Sequence, residues 1–269
     1  MQEQIPDPVR DTYGPADLAA TPAFAGGFIN FGYWEGIPLA GPLTADDRVA
    51  SQRNLYRRVL AALGGTRGRH GLEVGCGLGL GCELMLRESQ LATVTGMDIH
   101  PRQLERARRA NERLLAERPA RLSFAQGSAE RMPFGDGEFG VLYSVEAAQH
   151  FRDLAAFARE ARRVLRPGGR LAVAGFFVPT RDAGAAEALA GLLDSFASGL
   201  DVAHPVAGMT RSLGEAGLHR VRAEPIGEAV WAGLDAYLAQ IDLPVTWPRN
   251  FLRAYRDRLL DYYIVTATT

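Results

Sequence analysis

The chain has 269 residues, of which 47% are hydrophobic and 23% are charged, a composition typical of a single folded globular domain. The formal net charge of −1 argues against the strongly basic surface that binds nucleic acids or anionic membranes. Only two cysteines occur, Cys76 and Cys82, so a disulfide framework is excluded and a reducing, cytoplasmic compartment is favoured.

All 30 basic residues are arginine, because the sequence contains no lysine. Together with the abundance of alanine and glycine, this indicates a GC-rich coding sequence and hence a bacterial source. The first residues, Met-Gln-Glu-Gln-Ile-Pro, lack the basic-then-apolar layout of a signal peptide. No apolar run is long enough to span a bilayer. We therefore expect neither a membrane nor a nucleic acid as partner.

Residues 1–43 are rich in Pro, Gly and Ala and carry an aromatic cluster at 28–34, which predicts an irregular arm with about one helical turn. Thr44 is a good helix N-cap, and Asp46 and Asp47 would lie in the first turn. The Gly-Gly pair at 64–65 predicts that this helix ends near Leu63.

From residue 70 onward, short apolar runs alternate with amphipathic segments. Strands are predicted at 72–74, 92–97, 121–125, 139–145 and 171–178, and helices at 82–87, 101–115 and 154–165. Beyond residue 180, helices are predicted at 183–198, 209–217 and over much of 228–258, with strands at 218–225 and 260–268. Because strands that alternate with helices form parallel sheets, we expect an α/β protein with a doubly wound, mostly parallel sheet.

A glycine-rich turn, Glu-Val-Gly-Cys-Gly-Leu-Gly at 73–79, ends the first strand of this series. Glycine lets the backbone bend sharply and approach a ligand closely. The dinucleotide fingerprint G-x-G-x-x-G fails, because its third glycine would fall on Leu80 or on Cys82. The pattern Glu-x-Gly-x-Gly-x-Gly instead resembles the class I S-adenosylmethionine-dependent methyltransferases. The resemblance implies that the cofactor contacts Glu73, Gly75, Cys76, Gly77 and Gly79.

Asp98 ends the second strand of the series, where a carboxylate can accept both ribose hydroxyls. The same side chain could instead cap the helix that starts at Pro101. The resemblance favours ribose binding and implies that Ile99 lies against adenine and that Gln103 faces the same pocket.

The segment Gly-Ser-Ala-Glu-Arg-Met-Pro-Phe at 127–134 resembles the family's Gly-Asp-Ala-x-x-x-Pro-Phe loop, which contacts adenine. Ser128 stands where the family has aspartate, and a hydroxyl is a weaker partner for the adenine amine. The resemblance leaves Ser128 and the N–H of Ala129 as adenine contacts, whereas Glu130 is expected to point to solvent.

The carboxyl end of the fourth strand, at 143–151, resembles the family's Glu-x-x-x-His loop beside the transferred methyl group. It implies a cofactor contact at Ser144 and two catalytic candidates, His150 and Glu146. His150 is the favoured base, since the unperturbed pKa of histidine lies near neutral pH. Glu146 offers a second route: binding the acceptor, stabilising a carbocation, or taking a proton after methylation of an alkene.

The Asn-x-Gly-Tyr-Trp segment at 30–34 resembles the arm of small-molecule methyltransferases in natural-product pathways. The resemblance implies that Tyr33 contacts the cofactor and leaves Trp34 open between ligand contact and covering the sheet edge. His204 and Trp231, in the C-terminal part, are the further candidates for acceptor contacts.

The resemblance covers about residues 65–178 and implies a Rossmann-like, seven-stranded methyltransferase fold. We divide this single domain into an N-terminal arm or lid at 1–43, a cofactor-binding core at 44–180, and a C-terminal part at 181–269. The last part completes the sheet and adds a helical substrate cap. The acidic cluster of metal-dependent relatives is missing, so no metal is expected. The oligomeric state stays open.

The implied activity is S-adenosylmethionine-dependent methyl transfer to a small-molecule acceptor, with O-methylation in specialised metabolism as the leading hypothesis. One alternative is C-methylation of an alkene such as a prenyl diphosphate. Another is a member of this fold that binds the cofactor and assists a reaction other than methylation, such as a cyclisation.

Overall fold

The computed structural model describes residues 5–15, 17–180, 184–243 and 246–269. A seven-stranded sheet forms its centre, with the strand order β3-β2-β1-β4-β5-β7-β6. The strands are β1 (His70–Val74), β2 (Thr93–Asp98), β3 (Leu122–Gln126), β4 (Phe139–Val145), β5 (Leu165–Phe177), β6 (His219–Pro225) and β7 (Asp261–Thr268). The first five strands pair in parallel, and β7 runs antiparallel to both β5 and β6. The predicted doubly wound, mostly parallel sheet is confirmed.

Helices cover both faces of the sheet and bury an apolar core on each side. They are α1 (Asp7–Tyr13), α2 (Ala45–Leu63), α3 (Leu80–Glu88), α4 (Pro101–Ala110), α5 (Glu112–Glu117), α6 (Leu154–Val164), α7 (Ala185–Leu192), α8 (Asp194–Ala197), α9 (Val206–Glu215), α10 (Trp231–Leu238) and α11 (Asn250–Arg256). Within the described ranges, no helix is long and apolar enough to cross a membrane.

Helix α2 begins where the sequence predicts it, in a complete capping box. The Thr44 hydroxyl accepts a hydrogen bond from the Asp47 N–H (3.1 Å), and the Asp47 carboxylate accepts one from the Thr44 N–H (2.8 Å). Two of the N–H groups at the helix start are satisfied in this way. The helix ends at Gly64, whose φ of +68° suits glycine.

Three predicted helices are interrupted. The helix from Pro101 stops at Asn111, whose Nδ2 donates to the Ala107 carbonyl (2.9 Å) and the Leu78 carbonyl (3.1 Å) and so competes with the backbone ladder. The helix predicted at 183–198 divides at the extended residue Leu193, and its residue 183 lies outside the described ranges. The region 228–258 contains α10 and α11 as separate helices.

The N-terminal arm is more ordered than the sequence predicts: it contains α1 and two short 3-10 turns, at 18–20 and 22–27. The fully buried Arg48 of α2 holds this arm on the core. Its guanidinium donates to the carbonyl oxygens of Ala23 (3.0 Å) and Asn30 (2.5 Å). Arg48 also lies over the rings of Trp34 and Tyr237, at 5.8 and 5.9 Å from the ring centroids.

Candidate active site

A cavity opens at the carboxyl ends of β1, β2 and β4. These ends are level, because Val74 pairs with Met97 across β1 and β2 and Glu73 pairs with Tyr143 across β1 and β4. In open α/β sheets ligands bind at this edge. Ten predicted site residues line the cavity: Gly75, Cys76, Gly77, Asp98, Ile99, Gln103, Ser128, Ala129, Glu146 and His150. The space has a volume of about 1160 Å³, including the part open to solvent.

The glycine turn between β1 and α3 needs its glycines for two different reasons. Gly75 and Gly79 have φ of +77° and +67°, and both are crowded by protein. A Cβ built at Gly75 would lie 2.3 Å from the Ala147 Cβ, and one built at Gly79 would lie 2.5 Å from the Phe124 ring. At Gly77, with φ of +51°, a Cβ would meet no protein atom within 4 Å. Gly77 therefore leaves room beside the backbone for a ligand.

The Asp98 carboxylate lies directly beside this turn. One of its oxygens accepts a hydrogen bond from the Gly77 N–H (3.0 Å), and the other accepts one from the His100 N–H (2.9 Å). Burial raises the pKa of Asp98 to about 6, while these hydrogen bonds act in the opposite direction. The N-cap of α4 is His100, whose Nδ1 accepts from the Arg102 N–H (3.2 Å). His100 therefore caps α4, and Asp98 lines the cavity.

Glu73 lies beneath the turn and is not among the residues that line the cavity. It is fully buried, and its two oxygens accept from the Tyr56 hydroxyl and the Cys82 thiol, both at 2.8 Å. Burial raises its pKa to about 7. The predicted cofactor contact of Glu73 is replaced by a link between β1, α2 and α3 that supports the turn from below.

His150 presents one ring nitrogen to the cavity. Its Nδ1 lies 3.1 Å from the Leu200 carbonyl oxygen and 3.1 Å from the Asp201 carboxylate. Because a carbonyl oxygen can only accept, Nδ1 carries the proton in the neutral ring, and Nε2 carries the lone pair. The Tyr13 hydroxyl lies 2.9 Å from Nε2 and donates to it. A partnered Nδ1 and an accepting Nε2 suit a general base.

Glu146 is a carboxylic acid held in a strained backbone position. Its φ of +50° is unusual for a residue with a side chain. One carboxyl oxygen accepts from the Phe31 N–H (2.6 Å) and from the Tyr262 hydroxyl (3.0 Å). Burial raises the pKa of Glu146 to about 8, against the opposing effects of these hydrogen bonds and of Arg48. The ligand-free side chain is therefore protonated at neutral pH.

Hydrogen bonds between nearby residues hold the predicted adenine loop, at 127–134, in place. The Ser128 hydroxyl accepts from the Glu130 N–H (3.1 Å). Glu130 does not simply point to solvent, as the sequence suggested: its carboxylate accepts from the backbone N–H groups of Arg152 (2.6 Å) and Asp153 (2.9 Å). It thereby joins this loop to the segment that follows His150.

Several predicted site residues lie away from the cavity lining. The Tyr33 hydroxyl donates to Glu35, and the Ser144 hydroxyl donates to the Val74 carbonyl (2.8 Å) inside the sheet. His204 Nε2 lies 2.7 Å from the Phe151 carbonyl oxygen, and burial lowers the pKa of this histidine. None of these three residues lines the cavity.

The two tryptophans proposed as acceptor contacts are core residues. Trp34 is 3% exposed and donates from Nε1 to the Phe31 carbonyl (3.0 Å). Trp231 is fully buried and stacks on Phe251, with ring planes 4° apart and centroids 5.3 Å apart. Both pack the arm against α10 and α11, because large aromatic surfaces gain most free energy when fully removed from water.

Three functional side chains were missed in the sequence. Tyr13 reaches the cavity from α1, and Asp201 reaches His150 from the segment after α8. Arg48 is a fully buried side chain of α2 that donates to backbone carbonyls of the arm. The nearest indication in the sequence was the segment Asp-Val-Ala-His-Pro at 201–205. There, His204 was predicted as an acceptor contact, and Asp201 was not singled out. Within the described residues, no group of three or more His, Cys, Asp or Glu side chains could hold a metal ion.

The fold places the chain among the class I methyltransferase architectures. A structure of geranyl diphosphate C-methyltransferase from Streptomyces coelicolor A3(2) superimposes with a TM-score of 0.75, at 17% identity, over 88% of this chain and 89% of that one. Residues 72–173 match the family model of the methyltransferase domain. Residues 72–173 therefore form a methyltransferase domain, which confirms the methyltransferase resemblance seen in the sequence.

Curated methyltransferases also match part of this chain. A phthiotriol/phenolphthiotriol dimycocerosates methyltransferase of Mycobacterium leprae is 36% identical over 148 residues, which are 55% of this chain and 52% of that protein. A fatty-acid O-methyltransferase of Mycolicibacterium smegmatis is 34% identical over 142 residues, 53% of this chain and 50% of that protein. The chain thus spans about half the length of the curated relatives it matches.

Proposed function

We propose that this protein is an S-adenosylmethionine-dependent methyltransferase that methylates a hydroxyl or carboxyl oxygen of a small-molecule or lipid acceptor. The turn at Gly75 and Gly77 would hold the methionine part of the cofactor, Asp98 the ribose, and Ile99 and Ala129 the adenine. The fit rests on the open space at Gly77 and on the adjacent Asp98 carboxylate. When bound, the cofactor supplies an electrophilic methyl group.

The observation that carries O-methylation is the state of His150. Its Nδ1 proton is held by the Leu200 carbonyl, and the Asp201 carboxylate lies 3.1 Å from Nδ1, so the Nε2 lone pair faces the cavity and can take the proton of an acceptor hydroxyl. The resulting imidazolium would be stabilised by the Asp201 carboxylate, which is 4% exposed. The protein's part in the reaction is thus to position the acceptor oxygen, accept its proton and exclude water.

The nature of the acceptor follows from the remaining lining. Pro6, Val9, Phe28 and Ile29 contribute an apolar side from the arm. The names of the curated relatives describe methyl transfer to a fatty acid and to phthiotriol lipids. Because an apolar wall favours burial of hydrocarbon or aromatic surface, we propose an acceptor with one reactive oxygen on a largely apolar body.

Glu146 supports a second candidate function, C-methylation of an alkene. Its carboxyl group lines the same cavity with a pKa of about 8. Once ionised, it could stabilise a carbocation and then take the proton released when the double bond re-forms. A structural neighbour with this fold is a geranyl diphosphate C-methyltransferase.

The test is methyl transfer from methyl-labelled S-adenosylmethionine to a panel of phenols, fatty acids and prenyl diphosphates. O-methylation of a hydroxyl predicts labelled ethers, a large loss of turnover in His150→Ala, and retained calorimetric affinity for S-adenosylhomocysteine. A fatty acid would give labelled esters without needing the base, because its carboxylate is already ionised. His219→Ala, at an exposed histidine in β6, is the matched control. Labelled carbon products that depend on Glu146 would favour the second function, and tight cofactor binding without any labelled product would favour a non-methylating role.

A further inference from the structure

The Tyr13 side chain, at the end of the N-terminal helix α1, touches the proposed base His150. Its hydroxyl lies 2.9 Å from His150 Nε2, and its ring packs edge-on against the imidazole, with centroids 5.6 Å apart. The two residues are 137 positions apart in the sequence. A phenol thus already occupies the nitrogen that would take the proton of an acceptor.

This contact has the geometry that a base requires of its substrate. Since Nδ1 of the neutral ring carries the proton, the Tyr13 O–H must donate to Nε2. A phenolic acceptor would form the same hydrogen bond before losing its proton. Burial, followed by the negative charge of Asp201, raises the pKa of Tyr13 and keeps it protonated. Tyr13 therefore imitates such an acceptor without reacting as one.

We propose that the Tyr13 phenol fills the acceptor subsite of the ligand-free enzyme, and that this subsite takes a single phenolic ring whose hydroxyl binds His150 Nε2. The inference rests on the proposed function, because it assigns an acceptor class to the same base. It also gives Tyr13 a role: the side chain must leave Nε2 before an acceptor can reach it.

Helix α1 can remain in place while its tyrosine leaves. Arg106 donates to the backbone carbonyls of Tyr13 (2.8 Å) and Gly14 (3.2 Å), and Arg102 donates to that of Gly14 (3.1 Å). The buried Val9 adds an apolar anchor. Because these contacts involve the backbone or another side chain, the loss of the phenol leaves them intact.

The decisive variant is Tyr13→Ala, and the probe is p-cresol, which has the shape of the deleted side chain. Its binding is measured by calorimetry in the presence of saturating S-adenosylhomocysteine. We expect Tyr13→Ala to bind p-cresol at least tenfold more tightly than the wild type does. Tyr13→Phe, in which the ring still fills the subsite, should bind as weakly as the wild type. Toluene, which lacks the hydroxyl, should bind Tyr13→Ala more weakly than p-cresol does.

A second readout follows the His150 ring itself by NMR. The imidazole resonances of His150 should shift in Tyr13→Ala and return toward their wild-type positions when p-cresol is added. If Tyr13→Ala does not fold, Arg106→Ala keeps the phenol but removes two of its backbone anchors. That variant should bind p-cresol more tightly than the wild type does.

Equal p-cresol affinity in the wild type and in Tyr13→Ala, or binding that leaves the His150 resonances unchanged, would overturn the proposal. Failure of the proposed function looks different, because the assay with methyl-labelled S-adenosylmethionine would then give no labelled oxygen product from any acceptor, whatever the p-cresol affinities. The p-cresol affinities and the test of the proposed function come from separate experiments.

Discussion

Replacing Glu146 by glutamine should stabilise the ligand-free protein, and increasingly so as the pH rises. Glutamine keeps the shape of the side chain and one oxygen that can accept from the Phe31 N–H and the Tyr262 hydroxyl. It removes the ionisable group, whose pKa is raised by burial from 4.5 to about 8. The substitution therefore isolates the cost of burying this acid near the arm.

The sign follows from proton binding. Between pH 4.5 and pH 8 the folded protein keeps a proton on Glu146 that the unfolded chain releases, so folding stability falls as the pH rises through this range. Each pH unit in this window lowers the free energy of unfolding by about 1.4 kcal/mol. The glutamine variant lacks this loss of folding free energy, which is about 1 kcal/mol at pH 5, about 3 kcal/mol at pH 7 and about 5 kcal/mol above pH 8.

The measurement is urea unfolding of both proteins at pH 5, 7 and 8.5, without cofactor. Glu73 and Asp98 also have raised pKa values, but they are present in both proteins and cancel in the difference. Glu105→Gln, at an exposed position in α4, is the control and should leave the pH dependence unchanged. A stability difference that is constant with pH would refute the assignment of Glu146 as a buried, protonated acid.

Three further substitutions test the site and its support. Asp98→Ala should weaken S-adenosylhomocysteine binding at least tenfold by calorimetry, and unchanged affinity would contradict ribose binding. Gly75→Ala should destabilise the protein by about 1–3 kcal/mol in urea unfolding, because its Cβ would lie 2.3 Å from that of Ala147 at a φ of +77°. Arg48→Met should cost about 2 kcal/mol, since the part-buried Ala23 carbonyl and the buried Asn30 carbonyl lose their donor. Equal stability would exclude Arg48 as the anchor of the arm.

The core of the fold was predictable because its signals are local. The bounds of β4 follow from a continuous apolar run, and the start of α2 follows from the capping residue Thr44. Asp98 and the glycine turn were found together, because strand ends in a parallel sheet meet at one edge. Each inference needed only a few neighbouring residues and the rule that alternating strands and helices form a parallel sheet.

The roles of Glu73, Trp231 and Tyr13 were not predictable in this way. Glu73 fits the family pattern, yet its contacts are set by Tyr56 and Cys82, which lie on two helices. Trp231 is buried against Phe251, 20 residues further along the chain. Tyr13 acquires its role from a histidine 137 positions away. Residue type and spacing carry no information about such long-range pairs.

The arm and the strained acid form one unit, which explains why the acceptor side of the site is the least readable part of the sequence. Arg48 binds the Asn30 carbonyl, and the next residue, Phe31, donates its N–H to Glu146. A buried cation therefore fixes the arm residue that donates to the acid of the cavity. Ionisation of Glu146 would strengthen the hydrogen bond from Phe31 and the attraction of Arg48. Closure of the arm and the charge of Glu146 are thus coupled through three residues that no local pattern connects.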